Sequence, residues 1–292
     1  MFRATDTTGK TDFNDLYDRP APIDYYLSLS PFSYVLADGA ADVCLAVYGV
    51  QRAHRGLSEL SVLDLGCSYG VNAALQKFSA SSSLLQSRYA SLRAQDVREE
   101  DVAAADRIFY ASRPQDERLT FRGFDPAGAA VAYSVKAGLQ LYASATNLEA
   151  QEPTREDAGA IATADTVICT GTIGYIGSPT FERVLEHAVK RPWFVLFVVS
   201  LFSGDDVEAT LAGHGYVVEP LDGLLVPQRM FASEAEAGNV RATVEERGAP
   251  LGPLERLGWY EARALVARPA EESVAPLREA IALHTLACAR LG

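Results

Sequence analysis

A carboxylate, two glycines and a serine fall close together in Asp64-Leu65-Gly66-Cys67-Ser68-Tyr69-Gly70, at the end of the apolar run Ser61–Leu65. A strand-end carboxylate can accept hydrogen bonds from a ligand amine or hydroxyl, and glycines let the backbone turn sharply and approach that ligand. A plain strand-to-helix connection and a phosphate loop are the alternatives, but the G-K-[ST] grip and the full G-x-G-x-x-G spacing are missing. Phe124-Asp125-Pro126 sets a second carboxylate at a strand end, where one group can accept two hydrogen bonds. Asn147, in Ala145-Thr146-Asn147-Leu148-Glu149, carries an amide that both accepts and donates, although asparagine after a strand is also a common turn residue. The loop from Thr170 to Gly177 (TGTIGYIG) holds three glycines, Thr172 and Tyr175. Such a loop can close around a ligand, with the Tyr175 ring facing a cation, its hydroxyl meeting an amine, or the side chain simply packing.

The elements that position these residues alternate. Ser61–Leu65, Thr120–Phe124, Leu141–Ala145, Thr166–Cys169 and Trp193–Leu201 read as strands, and helices are expected over Tyr69–Phe78, Ala127–Leu139 and Phe181–Lys190. Strand and helix in alternation imply a mainly parallel sheet with helices on both faces. Tyr216–Leu225 and Trp259–Arg268 are expected to form an antiparallel edge pair, with an excursion from Pro227 to Gly258 into which no full helix fits well, and Glu271–Leu291 reads as a terminal helix. Within the excursion, Met230 is a candidate for touching a second substrate, and Arg229 on a polar loop reads as a solvated charge. Ahead of the sheet, residues 1–22 are polar and punctuated by proline, predicting a turn-rich arm outside the core, and Asp24–Arg55 predicts two helices. Residues 79–118 have helical patterning and little strand character, an insertion that separates Asp64 from Asp125 by 61 positions where an ordinary βαβ unit needs about 20. The expected organisation is an N-terminal arm and helical cover over residues 1–60, then a ligand-binding domain over 61–292, with the insertion as a further cover over the site.

Composition narrows the function. At 48% hydrophobic and 22% charged, 292 residues make a folded domain rather than a disordered chain. A net charge of -12, with no basic stripe, argues against nucleic acid as a partner. The longest apolar run, Trp193–Phe202, has about half the length of a membrane-crossing helix, so no membrane partner is expected. The first residues show neither a signal region nor a lipidation motif, which predicts a cytoplasmic location. Cys44, Cys67, Cys169 and Cys288 form no C-x-x-C pair, and His54, His187, His214 and His284 lack ligand spacing, so no metal site is expected. Cys67 and Cys169 have no base nearby in sequence and read as buried fillers.

The segment Asp64–Gly70 resembles the D-x-G-x-x-x-G motif of class I S-adenosylmethionine (SAM) dependent methyltransferases, and Phe124-Asp125-Pro126 with the alanine-rich stretch that follows is similar to that family's second strand-helix step. The resemblance covers about residues 60–268 and implies a Rossmann-like α/β fold with SAM as cosubstrate and a small molecule as partner. It implies cofactor contacts from Asp64, Gly66, Ser68 and Gly70, ribose recognition by Asp125, adenine recognition by Asn147, and a meeting of sulfonium and second substrate at the Thr172–Tyr175 loop. Asn147 and Tyr175 are the candidates for chemistry, and Tyr17 and Tyr25 for a lid over the cofactor. The pattern Y-D-x-P-x-P-x-x-Y-Y at Tyr17–Tyr26 further resembles a natural-product branch of bacterial secondary metabolism that includes azetidine-2-carboxylate synthases. That resemblance implies a second reaction, in which SAM closes on itself and releases methylthioadenosine. A non-catalytic SAM sensor is a third reading, since fold alone does not fix chemistry.

Overall fold

The computed structural model describes residues 9–11, 13–224, 226–248, 250–273 and 277–279. Its centre is an eight-stranded sheet. β1 (Leu60–Leu65), β2 (Leu119–Phe124), β3 (Tyr142–Ser144), β4 (Thr166–Thr170) and β5 (Trp193–Val199) run parallel in the order β3-β2-β1-β4-β5. β8 (Trp259–Pro269) then pairs antiparallel with β5, with β6 (Tyr216–Pro220) and with β7 (Val226–Met230). The mixed α/β, Rossmann-like architecture with an antiparallel end is therefore present.

The side-chain period of two explains the layers. Trp193, Val195, Phe197 and Val199 of β5 enter one apolar cluster with α2 (Leu36–Arg55), while Phe194, Leu196 and Val198 enter another with α8 (Ser178–His187) and α9 (Asp205–Gly213). Every residue of β5 is buried because both faces are covered. By the same parity Asp64 shares the α2 face with Leu60 and Val62. The chain leaves β1 for β2 on one side and later for β4 on the other. Such a reversal opens a crevice at the carboxyl ends of the strands, where Asp64, Asp125 and the loop after Thr170 stand.

Several expectations are corrected. The excursion holds a strand, β7, and a 13-residue helix, α10 (Glu234–Glu246), capped by the Ser233 hydroxyl. Its few apolar contacts, Ala237, Val240 and Val244, leave little helical periodicity to read. Short helices α7 (Arg155–Ala162) and α9 connect strands where none was assigned. The arm is turn-rich, yet Phe13, Leu16 and Ala21 are buried in the core. Residues 270–272 form a 3-10 turn rather than the start of a helix, and most of the remaining Glu271–Leu291 expectation lies outside the described residues.

The insertion forms two helices, α4 (Ser82–Ala94) and α5 (Glu99–Ala111). They do not cover the site: among the described residues none from 79–118 lines the main cavity. Instead they bolt α1 (Ile23–Leu29) to α6 (Gly128–Lys136). Tyr26 stacks on Tyr89 at 4.9 Å, and buried Asp106 accepts hydrogen bonds from Arg88, Tyr89 and Tyr133. Among the described residues no single helix is long and apolar enough to cross a membrane, and no group of three His, Cys, Asp or Glu side chains could hold a metal ion.

Candidate functional site

A cavity of about 500 Å³ opens at the reversal of strand order. One side is built by the carboxyl ends of the parallel strands and the other by the arm, α1 and β7. Of the residues singled out from sequence, Gly66, Ser68, Asp125, Asn147, Thr172, Tyr175, Tyr17 and Tyr25 line it. Asp64 and Gly70 are not among the residues that line it.

Asp125 ends β2 with its two oxygens separately engaged: Oδ2 accepts from the Ser68 N–H and Oδ1 from the Ala127 N–H, each at 2.9 Å. A carboxylate has about four lone-pair sites, so each oxygen retains acceptor capacity toward the cavity. Burial lifts the Asp125 carboxyl above its ordinary range, while the two N–H groups pull it back. Asn147 is partly committed, because Oδ1 accepts from the Glu149 N–H at 3.0 Å in an Asx turn. Its NH₂ and the second lone pair of Oδ1 remain available to a ligand. Beside it, Asp157 fixes the loop after β3 by accepting from Tyr142, Thr146 and Thr154.

Gly66 has φ +77°, and a Cβ there would sit 2.3 Å from Thr172 Cγ2. Its missing side chain thus lets the Thr172 loop close against the turn. Thr172 Oγ1 donates to the Leu65 carbonyl at 3.1 Å, so this residue ties the two loops together as well as lining the cavity. Gly70, at φ +76°, is the N-cap of α3 (Val71–Gln76) and faces Ser134 and Leu139 rather than the cavity.

Asp64 is fully buried behind Asn72. Asn72 Nδ2 donates to both Asp64 oxygens at 3.0 Å and to Thr170 Oγ1 at 2.7 Å. Burial pushes the Asp64 carboxyl up to about 7, against the pull of the Asn72 hydrogen bond, and nearby Asp125 adds to the rise. Asn72 was not picked out from sequence, although its place two residues beyond Gly70 sets it in the first helical turn, facing back toward the strand end.

The opposite wall is aromatic. Tyr25 packs edge-on to Tyr17 at 5.4 Å and to Tyr34 at 6.3 Å. Burial raises the pKa of all three phenols, so they remain neutral at physiological pH. Tyr175 is 46% exposed, meets Phe202 edge-on at 5.7 Å and stands between the main cavity and a shallower one beyond it. The arm is fastened over the site by Asp18 Oδ1, which accepts from Ala129 N–H at 2.7 Å, and by Tyr69, whose hydroxyl donates to the Leu16 carbonyl at 2.9 Å.

Arg229 is not a solvated charge. It lies buried on β7, lines the cavity with Gln228, and pairs in bidentate fashion with buried Glu236 of α10 at 2.7 and 2.9 Å. Met230 does not line the cavity. Lys10, also buried at this end, donates to Gln228 Oε1 at 3.2 Å. Cys67 and Cys169 are buried thiols whose pKa values are raised by burial, Cys169 to about 11, consistent with filler roles.

No protein-family model matches the sequence, and no curated protein matches it. Among solved structures, the chain is similar to the magnesium protoporphyrin IX methyltransferase of Synechocystis PCC 6803 crystallised with SAM, at 14% identity over 78% of this chain and 77% of that one, with a TM-score of 0.38. A SAM-dependent methyltransferase from Geobacter sulfurreducens in complex with S-adenosylhomocysteine gives 14% identity over 77% and 90%, with a TM-score of 0.35. The plantazolicin methyltransferase BpumL, also in complex with S-adenosylhomocysteine, gives 10% identity over 80% and 84%, with a TM-score of 0.38.

Proposed function

We propose that the cavity binds SAM and that the protein is a SAM-dependent enzyme acting on a small molecule, a methyltransferase of bacterial secondary metabolism. The observation that carries this reading is Asp125: a strand-end carboxylate at the reversal of strand order, each oxygen held by one backbone N–H and able to accept one ribose hydroxyl. The rest of the cavity fits the same ligand. The Asn147 NH₂ lies beyond the end of β3 for an adenine, the Gly66–Thr172 junction forms a wall, and the Tyr17, Tyr25 and Tyr175 rings suit a sulfonium cation. Methyl transfer needs an acceptor held in line with the methyl carbon and the departing sulfur, so the chain's contribution is orientation and exclusion of water. The arm and α1 supply that cover.

One feature favours a second reading. Among the described residues no histidine lines the cavity, and Tyr17, Tyr25 and Tyr34 are neutral phenols, so these three offer aromatic faces and hydrogen bonds rather than a general base for an acceptor hydroxyl. These groups suit an intramolecular reaction in which the neutral amine of SAM attacks its own γ-carbon. The C–S bond would break with its electron pair on sulfur, the proton on nitrogen would pass to solvent, and the products would be azetidine-2-carboxylate and methylthioadenosine.

Calorimetry tests the shared premise. Asp125→Ala removes two charge-assisted hydrogen bonds to the ligand and should weaken SAM binding by about 100-fold. Unchanged affinity would overturn the SAM reading. Mass spectrometry then separates the reactions: methylthioadenosine formed from SAM alone selects cyclisation, and S-adenosylhomocysteine formed only with an added acceptor selects methyl transfer.

A further inference from the structure

Two residues that line the cavity, Ser68 and Asn72, each carry a buried side-chain oxygen, Oγ and Oδ1, with no hydrogen-bond partner among the described residues. Buried polar atoms are ordinarily paired, so each marks a position where a ligand group belongs. Ser68 is joined to Asp125 through its backbone and shares the hydroxyl-reading end of the cavity. Asn72 is joined to Thr170 at the end of β4, on a different side of the site.

The Asn72 side chain is fixed. It is 4% exposed, and its NH₂ is directed onto Asp64 and Thr170, so its planar amide must turn Oδ1 away from them. What Oδ1 lacks is a donor. A carboxylate in this place would favour a charged ammonium alone, whereas an aprotic amide oxygen accepts an N–H from an ammonium or from a neutral amine without taking the proton.

We propose that Asn72 Oδ1 receives the amino group of the ligand's amino-acid tail, with Asp64 and Thr170 as the groups that hold the amide in place. The assignment rests on the SAM reading and deepens it. It separates the recognition of the tail from that of the nucleoside, and it makes Asp64 a positioning residue behind Asn72 rather than a ligand contact.

The test compares two nucleosides on the full chain by calorimetry. S-adenosylhomocysteine carries the amino-acid tail, and 5′-methylthioadenosine lacks it. Asn72→Ala should weaken S-adenosylhomocysteine by about tenfold while leaving methylthioadenosine within about twofold, the loss expected for one hydrogen bond from a charged donor. Asn72→Ser is the second variant, since its shorter hydroxyl keeps a polar group at the position but does not extend as far as Oδ1; the same selective loss is expected. Retained methylthioadenosine binding doubles as the control for folding. Equal losses for both nucleosides, or no loss for either, would overturn the assignment while the SAM reading stands. Wild-type protein that binds neither nucleoside would overturn the SAM reading and the assignment together.

Discussion

Two fully buried carboxylates flank the cavity, and they are kept there by opposite means. Asp64, at the end of β1, faces a neutral amide, and burial pushes its carboxyl up to about 7. Glu236, on α10, is penalised by burial as well, but the Arg229 guanidinium and the Thr11 and Ala232 N–H groups outweigh that penalty and hold it at about 2. One wall of the site thus holds a carboxyl whose pKa burial raises, and the other a carboxylate kept ionised by its partner. The difference is one of partner: on the parallel-sheet wall the Asp64 carboxyl is met by a neutral amide, whereas the wall of arm, β7 and α10 holds Glu236 through its own internal charge balance.

The largest expected effect breaks the second wall. Glu236→Ala leaves the Arg229 charge buried without its partner, and denaturant unfolding should show a loss of about 3–5 kcal/mol. Replacing both residues together, as Arg229→Met with Glu236→Leu, should recover most of that loss, because a buried pair is more costly to halve than to remove. A single variant as stable as wild type would show that the pair contributes nothing to holding β7 against α10.

The pH dependence of stability sharpens the contrast, since the two carboxylates act with opposite sign. Asp64 has a folded pKa of about 7 against an ordinary 3.8, so the folded chain binds more protons over that window. Its contribution is fully present below about pH 4 and declines as pH rises toward 7. Glu236, at about 2 against an ordinary 4.5, contributes fully above pH 4.5 and loses its contribution as pH falls toward 2. Thermal unfolding of wild type and Asp64→Asn should therefore diverge between pH 4 and 7, by at most about 1.4 kcal/mol per pH unit, with the variant lacking the decline. Parallel profiles would place the Asp64 carboxyl in its ordinary range.

The same two walls differ in how much of them could be read from sequence. Strand periodicity, the Gly66–Gly70 turn and the Phe124-Asp125-Pro126 strand end are local signals, and they point to β1, β2 and the Asp125 carboxylate that lines the cavity. What local pattern could not give was the partner of each group. Arg229 reads as solvated because the Glu236 that neutralises it lies on a helix whose apolar face is only Ala237, Val240 and Val244. Asp64 reads as a ligand contact because nothing in the motif shows that Asn72, eight residues on, turns its amide back onto it. The insertion was visible as helices, but its docking on Tyr26 and Tyr133 depends on aromatic contacts between segments far apart in sequence. The arm reads as lying outside the core for the same reason, since Phe13 and Leu16 find their apolar neighbours only in the folded chain.

The smallest effect concerns Tyr175, which stands half exposed between the main cavity and the shallower one. Its ring contact with Phe202 is at the surface, so Tyr175→Leu should change stability by no more than about 0.5 kcal/mol. An aromatic face beside a cation at such a site is worth about 0.5–1 kcal/mol, which predicts a two- to fivefold loss of affinity, in order of magnitude, for a positively charged ligand alone. The comparison should use S-adenosylhomocysteine, which lacks the cation, and a non-reactive SAM analogue with an ammonium in place of the sulfonium, so that turnover cannot distort either value. A preference for the charged analogue that shrinks in Tyr175→Leu and persists in Tyr175→Phe would assign the ring face. Loss in Tyr175→Phe as well would move the role to the hydroxyl, and with it the expectation that this residue handles an amine rather than the sulfonium.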